Sequence, residues 1–152
     1  MKKYKFKLEG LLKIRSFKEE ICKTEMGKLQ KSISECKQSI HNEFEGIRAA
    51  SSAHNRLLEN GMGGREAQFF PRFIQGKEAN IELLKKEIIR LQQLVEEKIK
   101  ELAKLRADVK VIEKLKEKDF QSFKKEEFKK QELLREESIL IWQGYNKQRI
   151  KS

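Results

Sequence analysis

The stretch ENGMGGREAQFFPR, residues 59–72, separates two long segments in which apolar residues recur in alternating steps of three and four. It contains Gly61, Gly63 and Gly64, together with Pro71, the single proline of the 152 residues. A glycine after an asparagine suits the end of a helix, and a proline suits the first turn of the next one. The stretch therefore predicts a connection at which the chain folds back on itself.

The apolar residues on either side of this connection follow the seven-residue repeat of a coiled coil. Such a repeat places a narrow apolar seam along one side of a helix, and a seam requires a partner helix. Two such helices joined by a turn predict an all-α fold, an antiparallel two-helix coiled-coil hairpin. The first seam consists of Cys22, Met26, Leu29, Ile33, Cys36 and Ile40, and the second of Ile81, Leu84, Ile88, Leu91 and Val95.

The pattern predicts one coiled-coil domain over residues 1–152, with a first helix over about 6–58, the connection over 59–72 and a second helix over about 72–147. At 1.5 Å per residue the second helix is longer by roughly 35 Å. We therefore expect its C-terminal segment to extend past the first helix from near Phe123. The apolar residues of this segment predict that a partner protein covers it. The alternative is that the N-terminal segment of the first helix pairs with it. These apolar residues are Phe128, Leu133, Leu134, Ile139, Leu140, Ile141, Trp142 and Tyr145.

The apolar repeat is irregular at two places. After Ile40 the apolar steps go to Phe44 and Ile47, which implies a local stutter. Beyond Val95, steps of three are over-represented, which predicts a stripe that turns around the second helix. The apolar positions there are Ile99, Leu102, Leu105, Val109, Ile112, Leu115, Phe120 and Phe123.

Ile40 and Phe44 continue the apolar seam, which predicts a place in the core. The aromatic residues Phe69, Phe70 and Phe73 form either an apolar plug at the end of the hairpin or an exposed patch.

Charged residues make up 39% of the chain and hydrophobic residues 38%. This apolar content is too low for a multilayer core and sufficient for a seam. Lysine and arginine number 35 against 24 acidic residues, a formal net charge of +11. The excess suggests an acidic partner, a nucleic acid or an anionic lipid, and a solvated surface of both signs is the alternative.

The first residues are strongly basic, with Lys2, Lys3, Lys5 and Lys7 preceding the first acidic residue, Glu9. Positive charge opposes the macrodipole at a helix start, so the cluster indicates either docking to a partner or an end that frays. It lacks the apolar block of a signal peptide, and no segment approaches the roughly 18 apolar residues of a membrane span. We therefore expect a cytoplasmic protein.

No arrangement typical of catalysis or metal binding is present. Cys22 and Cys36 lie two heptads apart on one helix, roughly 21 Å, so they are expected to be free thiols. His41 and His54 lack the spacing of metal ligands, and the glycines of the connection lack the rest of a phosphate loop. The sequence predicts a non-enzymatic protein with no catalytic residue, cofactor or metal.

The sequence resembles the flagellar export protein FliJ family over nearly its whole length. The resemblance rests on the match of length, basicity and break position, together with several segments. These are Tyr4 to Arg15, Asn42-Glu43-Phe44, Phe69 to Gln75, Leu105 to Lys118, and the charged tail from Lys124 to Glu137.

The resemblance implies a component of the flagellar type III export apparatus that serves flagellum biogenesis, protein transport and motility. It implies a stalk-like coiled coil, similar to the central stalk of rotary ATPases, that binds the hexameric export ATPase, the cytoplasmic domain of the export gate and export chaperones. Such a protein is cytoplasmic, peripherally associated with the inner membrane through the apparatus, and monomeric or weakly self-associating.

The resemblance also assigns residues to two contacts. Contact with the ATPase ring falls on Phe6, Leu8, Leu11, Arg15, Arg135 and Trp142. Contact with the export gate falls on Ile40, Phe44 and Phe73.

Three other functions compete with this one. The equivalent stalk of a virulence type III secretion system shares the same features. A basic coiled-coil nucleic-acid-binding protein is disfavoured, because both arms share the excess charge and aromatic residues do not alternate with the bases. An extended dimer is disfavoured by the glycines and Pro71 of the connection.

Overall fold

A computed structural model describes residues 2–61 and 63–151. These residues form two α-helices and no strand: α1, Glu9–Glu59, and α2, Gly64–Lys151. The helices pack against each other, and α2 is the longer, with 88 residues against 51. The prediction of an all-α pair of helices with a longer second helix is confirmed.

The contacts divide the chain into two compact units. The hairpin unit is Lys18–Lys104, and the chain-end unit combines Met1–Phe17 with Leu105–Ser152. Within each unit the two paired segments run antiparallel, because a later position in α1 meets an earlier position in α2. The organisation as one domain over 1–152 stays a prediction.

The turn after α1 is the left-handed cap that the sequence predicts. Gly61 has a φ of +81°, a conformation that glycine adopts without steric cost. Its N–H donates to the carbonyl of Leu58 at 3.4 Å, and the N–H of Asn60 donates to the carbonyl of Arg56 at 3.3 Å. These bonds satisfy carbonyls that the end of a helix leaves without partners.

The helix bounds differ from the predicted ones at both starts. α1 begins at Glu9 instead of about residue 6, and α2 begins at Gly64 instead of about residue 72. Pro71 therefore lies inside α2, where its missing N–H leaves the carbonyl of Ala67 without a helical donor. The prediction gave proline too much weight, because the ring of Phe70 stacks on His54 of α1 at 5.1 Å and holds the early turns of α2 in place.

The seam of each helix is a strict heptad repeat with no stutter, and it includes charged residues. Phe44 and Ile99 are 48% and 53% exposed, whereas their neighbours Glu43 and Lys98 lie on the seams. The predicted stutter and turning stripe are wrong, because backbone geometry keeps a period of 3.5 and a long charged side chain can occupy the seam. The α1 seam is Leu12, Arg15, Glu19, Cys22, Met26, Leu29, Ile33, Cys36, Ile40, Glu43, Ile47, Ala50 and His54. The α2 seam is Phe70, Ile74, Lys77, Ile81, Leu84, Ile88, Leu91, Val95, Lys98, Leu102, Leu105, Val109, Ile112 and Lys116.

The most buried seam residues are small or aliphatic. Cys22 is 1% exposed and Ile81 3% exposed, and both lie where the sequence predicts core. Both cysteines are free; burial raises the pKa of the Cys22 thiol, and Cys36 is half-buried. The other buried apolar residues of the described chain are Ala50, Leu91, Leu102, Val109 and Ile112.

Candidate interaction surfaces

The N-terminal residues of the chain-end unit are anchored on α2 by Tyr4. The hydroxyl of Tyr4 donates to Asp119 Oδ2 at 2.9 Å, and its oxygen also lies 3.3 Å from the carbonyl oxygen of Lys116. Its ring contacts the rings of Phe120 and Phe123 at 5.0 and 5.3 Å. Desolvation, the hydrogen bond to Asp119 and the nearby carboxylates raise the pKa of Tyr4 to about 12. These contacts place Tyr4 against α2, so the segment before α1 follows α2 at this point.

The side chains before α1 alternate in exposure. Tyr4 is half-buried against α2, whereas Lys3, Lys5 and Lys7 are exposed. Alternation of this kind is typical of an extended segment, in which successive side chains point to opposite sides. The three lysines are therefore open to solvent, which leaves their charges available to a partner.

The C-terminal segment of α2 extends past the residues that contact the N-terminal segment. Phe123 is the last ring that Tyr4 contacts, as the helix lengths predict, and residues 131–145 are all exposed. A full turn of this segment is apolar: Ile139, Leu140, Ile141 and Trp142 are 50%, 66%, 73% and 64% exposed. Consecutive residues lie 100° apart around a helix, so this turn is apolar on every side. A helix with that character is usually enclosed by other protein.

The six residues assigned to ring contact all lie in the chain-end unit. Leu8 and Leu11 are 40% and 38% exposed, and Trp142 is 64% exposed. Arg135 is also exposed, and Phe6 and Arg15 are half-buried. Arg15 forms an ion pair with Asp108 at 3.2 Å, which gives this arginine a structural partner within the unit.

The three residues assigned to gate contact lie in the hairpin unit. Phe44 and Phe73 are 48% and 38% exposed, whereas Ile40 is half-buried on the α1 seam. The choice between core and surface is therefore resolved as surface for Phe44 and as seam for Ile40.

The aromatic joint near the turn combines the two predicted roles. Phe70 is half-buried and stacks on His54, so it acts as the plug. Phe69 is 61% exposed and stacks on Phe73 at 5.9 Å, so these two form an exposed patch. The ammonium of Lys77 lies 5.3 Å from the centre of the Phe73 ring and continues this patch.

Lys77 also reaches Glu43, which sequence reasoning missed. Lys77 Nζ lies 3.3 Å from Glu43 Oε1, and the side chains are 30% and 17% exposed. Glu43 Oε2 is buried without a hydrogen-bond partner. The missed signal was the heptad spacing itself, because Glu43 lies three residues after Ile40.

The positive charge is concentrated in one of the two units. The chain-end unit holds 19 basic and 10 acidic residues, a formal charge of +9, and the hairpin unit holds 16 and 14, a charge of +2. The even distribution between the two arms of the sequence hides this difference, because the chain-end unit takes residues from both arms. An acidic partner is therefore attracted chiefly to the chain-end unit.

Neither metal chemistry nor a membrane span is indicated within the described stretches of the chain. Among residues 2–61 and 63–150, no group of three histidine, cysteine or acidic residues is arranged to hold a metal ion. Neither described helix contains a stretch apolar enough to cross a bilayer.

The chain matches the family described as Flagellar FliJ protein over residues 4–139, which is most of its length. The chain belongs to the FliJ family. The resemblance noted from the sequence is confirmed, and membership makes the chain a non-enzymatic component of the flagellar export apparatus. Trp142 lies beyond the matched residues. No curated protein and no solved structure matches the chain significantly.

Proposed function

We propose that this FliJ family chain acts as a stalk whose chain-end unit inserts into the ring of the flagellar export ATPase. The hairpin unit then binds the cytoplasmic domain of the export gate, and the chain passes on empty export chaperones. In this proposal the protein is cytoplasmic and reaches the inner membrane peripherally, through the apparatus. We favour the flagellar apparatus over a virulence secretion system, because the matching family is described as flagellar.

The observation that carries the proposal is the exposed apolar turn from Ile139 to Trp142. A helix lying on a membrane has one apolar and one polar face, whereas this turn is apolar on all sides. A flat protein surface would also cover only a fraction of it. The bore of a ring encloses a helix on every side, and this geometry suits the turn best.

The rest of the chain-end unit supplies further contacts for such a bore. Leu8 and Leu11 expose apolar surface, and Arg135 is an exposed arginine in the same unit. Arginine, with tryptophan and tyrosine, is among the side chains that most often dominate binding energy, and the two leucines add apolar area around it. The charge of +9 favours capture by an acidic entrance and predicts association that weakens as salt rises.

The single tryptophan provides a direct test of insertion. Trp142 is 64% exposed, so its fluorescence should shift to shorter wavelength when the purified hexameric export ATPase is added. Trp142→Ala and Ile141→Ala should each weaken binding by about tenfold or more, as expected for residues that anchor an interface. Binding of the alanine variants is measured by sedimentation with the ATPase.

Leu83→Ala is the matched control, because Leu83 is equally exposed, at 63%, and lies in the hairpin unit. Its removal should leave ATPase binding unchanged. An unshifted Trp142 emission in the presence of bound ATPase would refute insertion of the C-terminal segment of α2.

Gate binding is tested separately, with variants of the full-length chain that change residues of the hairpin unit. Phe44→Ala and Phe73→Ala should weaken binding to the cytoplasmic domain of the export gate while helicity, measured by circular dichroism, is retained. Ile89→Ala is the control, because Ile89 is 56% exposed and has no assigned contact. Equal weakening by Ile89→Ala would remove the assignment of Phe44 and Phe73.

A further inference from the structure

Three lysines occupy positions on the α2 seam that a coiled coil normally fills with apolar residues. They are Lys77, Lys98 and Lys116, and all three are half-buried. A charged residue at such a position weakens packing, and coiled coils that retain one often use it to choose partner and register. The three lysines therefore specify which helix pairs with α2, in addition to what the apolar pattern of the seam specifies.

Each of these lysines pairs with a glutamate of α1. Lys77 Nζ lies 3.3 Å from Glu43, and in the chain-end unit Lys116 Nζ lies 2.9 Å from Glu9. Lys98 pairs with Glu25, and its ammonium also lies 3.1 Å from Glu101 of its own helix. In all three pairs α1 supplies the acid and α2 supplies the base, so the two helices are complementary and not equivalent.

This arrangement opposes pairing between two extended copies. In a parallel, in-register dimer each seam residue faces the same residue of the second copy. Lys77, Lys98 and Lys116 would then each meet an identical lysine at a half-buried position, and Glu43 would meet a glutamate. Like charges held together in this way are strongly unfavourable.

The pairs also oppose a slip of register within the hairpin unit. A slip of one heptad moves Lys77 from Glu43 to Cys36 or Ala50, which are seven residues away along α1. Both are buried or half-buried residues without a carboxylate. The slipped pairing leaves Lys77 and Glu43 without partners in the seam, which is the costly outcome for a desolvated ion pair.

We propose that these three lysine–glutamate pairs are self-recognition determinants, which direct α2 onto α1 and reject the pairing of like helices from two copies. An exchanged dimer, in which α2 packs on α1 of another copy, would keep the pairs. The turn at Gly61, with a φ of +81°, keeps α1 and α2 of one chain close to each other, so their pairing is intramolecular and is favoured over exchange at low concentration. The pairs and the turn together leave the folded-back monomer. This inference does not depend on the export role.

The test uses the full-length chain with its three seam lysines replaced. The variant Lys77→Leu, Lys98→Leu and Lys116→Leu removes the repulsion and adds apolar surface to the seam. We expect its mass, measured by light scattering across a range of concentrations, to rise about twofold as copies pair. The control is Lys86→Leu, Lys100→Leu and Lys114→Leu, which makes the same change of charge and volume at exposed positions. The control should remain monomeric.

A charge exchange keeps the test decisive if the leucine variant folds poorly. Glu43→Lys alone and Lys77→Glu alone should each lower the melting temperature and promote self-association. The double variant restores an opposite pair at the same place, so it should recover both the melting temperature and the monomer. A monomeric leucine variant, a control that pairs equally well, or a double variant as impaired as the single ones would each overturn the proposal.

Discussion

Tyr4 shows how one side chain decides whether a chain terminus is ordered. A basic segment gains nothing by lying against a basic helix, yet the N-terminal residues lie along α2. The hydroxyl of Tyr4 reaches Asp119, and its ring joins Phe120 and Phe123, so one residue satisfies both a polar and an apolar neighbour. An aromatic residue among lysines indicates a contact of this kind. The sequence does not show which residue Tyr4 contacts, because Asp119 lies 115 positions away.

Ionisation of Tyr4 should weaken the chain-end unit at alkaline pH. The folded pKa, about 12, lies above the usual value near 10, so the folded state favours the neutral phenol. The stability from this preference is fully present below about pH 10 and is lost as the pH rises through about 12.

Tyr4→Phe removes this titration, so the wild-type chain should lose more stability than the variant between about pH 10 and 12. Thermal unfolding followed by circular dichroism measures the difference, and the lysines titrate equally in both proteins. Parallel pH profiles of the two proteins would contradict the assignment.

At the scale of the helix, Pro71 destabilises α2 locally, and the neighbouring contact of Phe70 with His54 offsets this cost. It is exposed inside α2 and removes one hydrogen bond from the early turns. Pro71→Ala restores the N–H for the carbonyl of Ala67, and should raise the free energy of unfolding by about 1–3 kcal/mol. Urea unfolding followed by circular dichroism measures the change.

The comparison for Pro71→Ala is Asn80→Ala, an exposed position of the same helix that already has its N–H. This change should gain only about 0.5 kcal/mol from helix propensity. Equal gains at the two positions would show that Pro71 costs the helix no more than an ordinary exposed asparagine does.

The elements also show what the sequence predicts and where prediction ends. The turn and the pairing follow from glycine chemistry and the apolar repeat, and Cys22 and Ile81 are buried as predicted. The seam bypasses Phe44 and Ile99, although each is apolar and lies beside a charged residue, so hydrophobicity alone selects the wrong position of each pair. A strict count of sevens through Glu43 and Lys98 identifies the true seam, since the helix repeat constrains position more tightly than hydrophobicity does.

The predicted contact surfaces divide in the same way. The assignment of Phe44 and Phe73 to gate contact and of Trp142 to ring contact comes from the family resemblance, whereas the excess length of α2 predicts the exposure of Trp142. The concentration of charge in the chain-end unit was also out of reach, because it depends on which segments of the two arms lie together.

For the whole molecule, folding and proposed binding fall on different residues. Residues 128–145 bury no apolar side chain in the described chain. The α2 seam ends at Lys116, and Phe123 is the last ring that Tyr4 contacts. Burial of apolar surface is the main source of stability, so the tail contributes little to it. Removal of residues 128–152 should therefore leave the melting temperature nearly unchanged while abolishing binding to the export ATPase.

The two readouts of this truncation separate stability from binding. Circular dichroism should show that the helical signal falls in proportion to the residues removed and that the melting temperature is unchanged. Both units keep their seams, and Tyr4 keeps its contact with Phe123. Trp142 is lost with the tail, so binding is measured by sedimentation with the ATPase. Gate binding should persist, since Phe44 and Phe73 lie in the hairpin unit. A large fall in the melting temperature would mean that the tail packs on the rest of the chain, and its exposed apolar turn would then no longer argue for an enclosing partner.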